Sequence, residues 1–190
     1  AGFRRSHGIA YRPACDGCSA CRAVRVCAQT FRAGRSMRRV LARNASIVAR
    51  EVDPIASAEQ FELFRRYQTS RHPGGGMADM DFEAYRAMVE DTPVQTFIVE
   101  FRRPDGELFA VSLGDLLGDG LSLVYSFFVP EGGASPGTFV ILWHIERARA
   151  LGLDYVYLGY WIAGSPKMGY KARFQPLEVC TEQGWEPAPD

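Results

Sequence analysis

A chain of 190 residues, 47% hydrophobic and 23% charged, has the balance of an ordinary globular protein and is long enough to bury a sizeable core. No apolar run reaches the roughly 20 residues that a membrane-spanning helix needs, and no charged-then-apolar leader opens the sequence, so neither a membrane span nor a secretory signal is expected within it. The formal net charge of zero hides an asymmetry: residues 1–50 hold eleven arginines and one acid, Asp16, whereas residues 51–190 hold eleven basic and 21 acidic residues. An arginine-rich front is an electrostatic footprint for a polyanion such as RNA, unless those arginines pair with the acidic remainder on folding.

In chain order, Arg4 and Arg5 precede a turn-like SHG, and Tyr11-Arg12-Pro13 leads into Cys15-x-x-Cys18-x-x-Cys21. Two-residue spacing lets neighbouring thiolates chelate one ion, and three such cysteines resemble part of an iron–sulfur signature that needs a fourth ligand from elsewhere. Cysteines that hold no metal are the alternative. A strand is expected over 21–28, and a short helix over 36–44 capped by Ser36. A strand follows over 46–52. Ser57 caps a helix running to Arg71, with Phe61, Phe64 and Tyr67 on nearly one face. That helix ends in RHPGGGM, where Arg71-x-x-Gly74-x-Gly76 formally matches a phosphate-cradling loop. Such a loop needs a strand before it, and here a helix precedes.

A second amphipathic helix is expected over 79–90, and then three strands over 94–101, 107–117 and 121–129. They are joined by Pro-Asp-Gly and Gly-Asp-Gly turns, which make an antiparallel meander. Asp115 ends a mostly apolar strand, where a carboxylate is costly without a job or a partner. A helix over 138–151 contains His144, read as packing rather than catalysis. A strand over 154–160, a glycine-rich loop and a final extended piece close the chain, with the tail EPAPD expected to be disordered. The expected domains are a basic, cysteine-rich part over 1–53 and a GNAT-like core over 54–190. The fold class is α+β: a mostly antiparallel sheet flanked by helices, on the GNAT acyltransferase plan. The loop after the last long strand carries both lysines of the chain, Lys167 and Lys171, against twenty arginines. A compact ammonium kept where arginine is the habit points to chemistry that a planar guanidinium cannot do.

Five segments taken together resemble the bacterial aminoacyl-tRNA–protein transferases: FRRS (3–6), YRPACDGCSACRAVRV (11–26), YQTSRHPGGGM (67–77), LGDLLGDGLSLVYSFF (113–128) and LGYWIAGSPKMGYKARFQPLE (158–178). The resemblance is nearest to the aspartate/glutamate leucyltransferase branch, akin to the arginyl-tRNA–protein transferases of eukaryotes. It implies a double GNAT-like fold, a cytoplasmic setting, and transfer of leucine from leucyl-tRNA to the α-amine of proteins beginning with Asp or Glu, which marks them for degradation. Arginyl-tRNA with the same acceptors, an acyl-CoA-dependent N-acyltransferase and a non-catalytic RNA-binding module are the alternatives. The resemblance points to Cys18 and Cys21, with Cys15, as ligands of zinc or an iron–sulfur cluster, although the family pattern has a further cysteine upstream of Ala1. The chemistry itself requires no cofactor.

The candidate catalytic residues are Asp115, for orienting the amine or taking its proton, with Lys167, Lys171 and Tyr160. Asp115 as a buried partner of an arginine is the competing reading. Arg4, Arg5 and Arg12 are candidates for the substrate's acidic side chain or the RNA backbone, and Tyr125, Tyr160 and Trp161 for stacking on the unpaired terminal adenine. Tyr11, Tyr67, Gln68, His72, Ser165, Met168 and Tyr170 complete the substrate-binding set. A leucine pocket needs apolar walls and an arginine pocket carboxylates; the sequence does not show which residues line it. The lysine bias predicts that Lys167→Arg impairs transfer.

Overall fold

In the computed structural model, which describes residues 2–131 and 133–189, one eight-stranded sheet runs through the molecule with helices on both faces. The chain opens with a small hairpin, β1 (Arg4–Ser6) and β2 (Ile9–Tyr11), outside the main sheet. Then come β3 (Arg22–Cys27), α1 (Arg35–Arg43), β4 (Val48–Val52), α2 (Ala58–Arg71) and α3 (Phe82–Glu90). The meander follows as β5 (Thr96–Arg102), β6 (Leu108–Leu116) and β7 (Gly120–Phe128), then α4 (Pro136–Ala150) and β8 (Tyr155–Trp161). A 3₁₀ turn (Gly169–Arg173), β9 (Leu177–Cys180) and β10 (Trp185–Pro187) end the chain.

The main sheet has the order β10-β9-β3-β8-β7-β6-β5-β4. Every pair in it is antiparallel except β7 with β8. A parallel neighbour cannot be reached by a tight turn, and α4 is the crossover that joins the two. Strand β6 is buried from Leu108 through Asp115. Successive side chains on a strand point to opposite faces, so both faces there are covered. On one side α2 and α3 bring Leu63, Phe64, Tyr85 and Met88 onto Ile98, Val111 and Phe127. On the other, α1 and α4 bring Met37, Leu142, Ile145 and Ala148 onto Val24, Val26, Val156 and Leu158.

Local signals explain most boundaries. The Ser57 hydroxyl accepts from the Gln60 N–H while the Gln60 side chain accepts from the Ser57 N–H, a capping box worth about 1 kcal/mol. Helix α3 begins at Phe82 behind an Asp81 cap, three residues later than expected. Helix α1 is capped at Gly34 with no side-chain bond, so Ser36 lies inside it rather than at its start. The tail is tied down through Ala188: Glu186 and Pro187 pair with β9, and the Ala188 N–H donates to the Leu177 carbonyl. The hairpin β1–β2 escaped the sequence because its strands have three residues each and bury no apolar face. The division expected at residue 53 falls between β4 and α2, and β3 and β4 on its N-terminal side belong to the same sheet as the rest.

His144 packs as expected. It is fully buried, its Nδ1 donates to the Val140 carbonyl at 2.8 Å, and its Nε2 faces the Ser112 hydroxyl at 3.3 Å. Burial pushes its pKa down to about 4, so it stays neutral.

Candidate active site

Strands β7 and β8 pair only at Gly120–Ser122 with Tyr155–Tyr157 and then part. Both carry a bulge where they separate. On β7, Leu123 faces Gly114 and Tyr125 faces Leu113, which leaves Val124 without a partner. On β8, Tyr157 faces Arg25 and Gly159 faces Val24, which leaves Leu158 unpaired. A bulge turns backbone groups out of the ladder and bends the strand. The carbonyls of Leu123 and Val124 are thereby free, and Nη2 of Arg4 donates to both, at 2.8 and 2.7 Å. Opposite, Gly159 has φ +76°, and a Cβ there would collide with the Arg4 guanidinium. Arg4 therefore sits in the opening between the two strands. Burial lowers its pKa, against the pull of Tyr11, Tyr160, Tyr170 and Asp115, and a guanidinium remains charged near neutrality regardless.

Around this cation stand groups from three further elements. From the end of α2, Gln68 is buried and its Nε2 donates to the Tyr125 hydroxyl at 3.0 Å. Tyr125 thus accepts from Gln68 and keeps its own proton to donate. Burial, reinforced by the Tyr67 phenol, pushes Tyr125 up to about 12. The same two causes push Tyr170 up, and burial raises Tyr67. From the 3₁₀ turn, Lys171 is only 7% exposed and its Nζ donates to the Tyr160 carbonyl at 2.5 Å. Burial first, and the Arg4 charge second, bring its pKa down to about 8. Arg4, Tyr67, Gln68, Tyr125, Tyr170 and Lys171, far apart in sequence, are the group that the fold assembles.

Other expected residues stand elsewhere. Asp115 was placed beside the substrate amine; in the fold both its oxygens are taken. Oδ2 accepts from Arg5 Nε at 2.9 Å, and Oδ1 from Arg5 Nη2 at 2.8 Å and from Thr96 Oγ1 at 2.7 Å. The carboxylate is 3% exposed, and the pair ties β1 to the end of β6. That is the arginine-partner reading, and it commits Arg5 as well. The Tyr160 hydroxyl is spent on the Gly2 and Tyr11 carbonyls, at 3.1 and 2.9 Å, so it fastens the N-terminal segment to β8. Trp161 cannot stack on a base: it is 8% exposed in the core, and among the described residues its indole N–H has no partner. Lys167 is exposed. Ser165 shapes the same loop through its backbone, its carbonyl accepting from the N–H groups of Met168 and Gly169. Met168 packs against the core on the α4 side. His72 caps the end of α2, edge-on to Tyr67. Tyr11 and Arg12 are exposed on the hairpin side, Arg12 over the ring of Phe3.

Cys15 and Cys18 are exposed on a tight turn, with the Cys18 N–H on the Cys15 carbonyl. Cys21, Cys27 and Cys180 are half-buried. Burial, followed by the nearby Glu178, pushes the Cys27 thiol up to about 11, away from the thiolate a metal requires. Among the described residues no three His, Cys, Asp or Glu side chains converge to hold an ion. The donor set present does not fit the zinc or iron–sulfur cluster that the resemblance implies. Sequence reasoning also missed Gly159, although a glycine inside a strand is a signal of close backbone approach.

A family described as arginine-tRNA-protein transferase, C terminus, matches residues 59–181, and the corresponding N-terminus family matches residues 1–39. The aspartate/glutamate leucyltransferase of Parvibaculum lavamentivorans is 58% identical over 190 residues, covering 100% of this chain and 79% of that protein. The chain belongs to this family. The enzyme of the same name from Paramagnetospirillum magneticum is 57% identical over 187 residues, 98% of this chain and 77% of its own. Members of the family are aminoacyltransferases, and so is this chain.

Among solved structures, L-PGS from Bacillus licheniformis superposes with a TM-score of 0.60 at 10% identity, over 82% of this chain and 52% of its own. A GCN5-related glucosamine N-acetyltransferase region of a fungal multi-domain GH3 β-N-acetylglucosaminidase gives 0.51 at 8%, over 88% and 20%. At such identities these matches speak for the fold, which is GNAT-like as expected. No helix among the described residues is long and apolar enough to cross a membrane.

Proposed function

We propose that this chain transfers leucine from leucyl-tRNA to the N-terminal α-amine of proteins that begin with Asp or Glu, in the cytoplasm. The observation that carries the reading is 58% identity to an aspartate/glutamate leucyltransferase along all 190 residues. The acyl-CoA alternative lacks its phosphate loop: Arg71-x-x-Gly74-x-Gly76 follows α2, while the helix that leaves β7 begins Ser135-Pro136-Gly137.

The reaction needs little covalent help, because the ester between leucine and the ribose is already activated. The neutral amine attacks the ester carbonyl carbon, a C–N bond forms, and the carbonyl oxygen takes the charge. Collapse breaks the C–O bond to the ribose, and the proton lost by the nitrogen ends on the ribose oxygen. The enzyme's part is to position the reactants and stabilise the oxyanion. Arg4, whose Nε and Nη1 are not used by the two carbonyls, and Lys171 supply positive charge in the β7–β8 opening for the acceptor's carboxylate and the developing oxyanion. Tyr125, kept protonated and oriented by Gln68, passes a proton from the amine to the ribose oxygen. Arg5 and Asp115 are positioning residues that hold Arg4's strand in place.

For the RNA, α1 carries Arg35, Arg38, Arg39 and Arg43, all exposed, with no acid in its first turn. Among the described residues none of the four is in an ion pair. Asn44, at the end of α1, donates to the Ala134 carbonyl just ahead of α4, so the basic helix ends beside the loop leaving β7. Exposed unpaired arginines on one helix are suited to phosphates.

The test is a transfer assay with leucyl-tRNA or arginyl-tRNA and peptides beginning with Asp, Glu, Lys or Ala. Leucine on the Asp and Glu peptides alone is expected. Transfer of arginine instead, or no transfer to the acidic peptides, overturns the reading.

A further inference from the structure

Beneath the β7–β8 opening lies a second feature, a cavity of about 210 Å³. Its walls come from the N-terminal segment (Gly2, Phe3, Arg4), β3 (Ala23, Val24), β7 (Ser122) and β8 (Tyr157, Gly159), with Leu117 and Trp185. It is smaller than the roughly 300–1,000 Å³ of pockets that hold drug-sized ligands, and of a size for one side chain. Arg4 belongs both to this wall and to the opening, so a group anchored here has its backbone end at the diverging strands.

We infer that this cavity receives the side chain of the transferred residue, and that its walls select leucine over arginine. The inference rests on the transfer reading above. Phe3, Ala23, Leu117 and Trp185 offer apolar surface to an isobutyl group. Among the described residues no carboxylate lines the cavity. Behind the wall residue Tyr157, Asp119 already accepts the Tyr157 hydroxyl at 2.8 Å and faces Arg25 at 3.8 Å. A guanidinium entering would meet the Arg4 charge and find no carboxylate to pair with, which leaves its desolvation poorly compensated. Leucine incurs neither cost.

A larger cavity, of about 760 Å³, does not compete. It is lined by Glu51, Asp53 and Arg147 among others, and by Leu121. The two cavities share no lining residue. The larger one lies against the C-terminal end of α4, whereas the opening lies towards its N-terminal end.

The experiment measures kcat/KM for leucyl-tRNA and for a tRNA mischarged with alanine, with one Asp-initiated peptide as acceptor. Ser122→Leu extends a branched side chain into the cavity. It is expected to lower kcat/KM for the leucyl donor at least tenfold while the alanyl donor stays within about threefold, in keeping with the discrimination that a methylene or two confers in an apolar pocket. Leu117→Ala enlarges the same cavity and is expected to raise transfer from phenylalanyl-tRNA about tenfold; it serves as the independent check if Ser122→Leu melts early. Equal losses on leucyl and alanyl donors, or an unchanged leucyl donor in a folded Ser122→Leu chain, overturn the inference and leave the transfer reading standing. A wild-type chain that transfers from no aminoacyl-tRNA overturns both.

Discussion

The guanidinium of Arg4 occupies the place where a side chain on residue 159 would begin. Two demands meet at Gly159, a left-handed φ of +76° and the absence of a Cβ beneath Arg4. Gly159→Ala violates both. The backbone alone costs about 1–2 kcal/mol in that conformation, and the clash drives Arg4 off the Leu123 and Val124 carbonyls. The expected outcome is a lower melting temperature with transfer down at least tenfold, read by calorimetry and by the peptide assay.

The Arg5–Asp115 pair is buried and bidentate, so removing one partner strands the other. Asp115→Asn is expected to destabilise the fold by about 3 kcal/mol in urea denaturation. Replacing both by leucine is expected to recover much of that loss. A catalytic Asp115 would behave differently: transfer would collapse with stability unchanged.

Intolerance of arginine is expected at Lys171 rather than at Lys167. Lys171 is enclosed and bonds a carbonyl that a planar fork cannot meet in the same space, whereas Lys167 is exposed. Lys171→Arg should lose transfer at least tenfold and Lys167→Arg should keep it, which moves the lysine-bias argument from one residue to the other.

Lys171 also sets a pH dependence. Its folded pKa of about 8 lies below the unfolded value of 10.5, so the unfolded chain binds more protons between those limits. Stability contributed at this site therefore rises with pH from about 8 to 10.5, and the full cost of the buried charge is felt below 8. Between pH 7.5 and 10, wild type should gain roughly 2 kcal/mol more than Lys171→Met does. Parallel urea curves for the two proteins at both pH values would refute this.

The α1 arginines give a prediction in salt. With Arg35, Arg38, Arg39 and Arg43 changed to glutamine, the slope of log affinity for tRNA against log salt should become shallower by about one unit for each phosphate no longer neutralised. Turnover at saturating tRNA should persist. An unchanged slope would move the RNA-binding surface elsewhere.

Regular elements were legible because their signals are local: Ser57 and Gln60 three residues apart, Gly-Asp-Gly between apolar runs, an apolar stripe along α4. The site was only half legible. The five matching segments contain Arg4, Tyr67, Gln68, Tyr125, Tyr170 and Lys171, but nothing in them says that Arg4 reaches across more than a hundred residues to the Leu123 and Val124 carbonyls. Backbone acceptors exposed by a bulge leave no mark in composition. The choice between the two readings of Asp115, and the burial of Trp161, lay beyond the sequence for the same reason. A carboxylate and an indole show their chemistry in the sequence, whereas burial and partners appear only once the sheet is assembled. The cysteine spacing is a sequence fact whose convergence on an ion the described residues do not show.

Single-turnover transfer from leucyl-tRNA to an Asp-initiated peptide, with wild type and Arg4→Ala compared beside their melting curves, tests the site most directly. An Arg4→Ala chain should melt within a few degrees of wild type and transfer at least about a hundredfold more slowly. A folded Arg4→Ala chain that transfers leucine at the wild-type rate would contradict it.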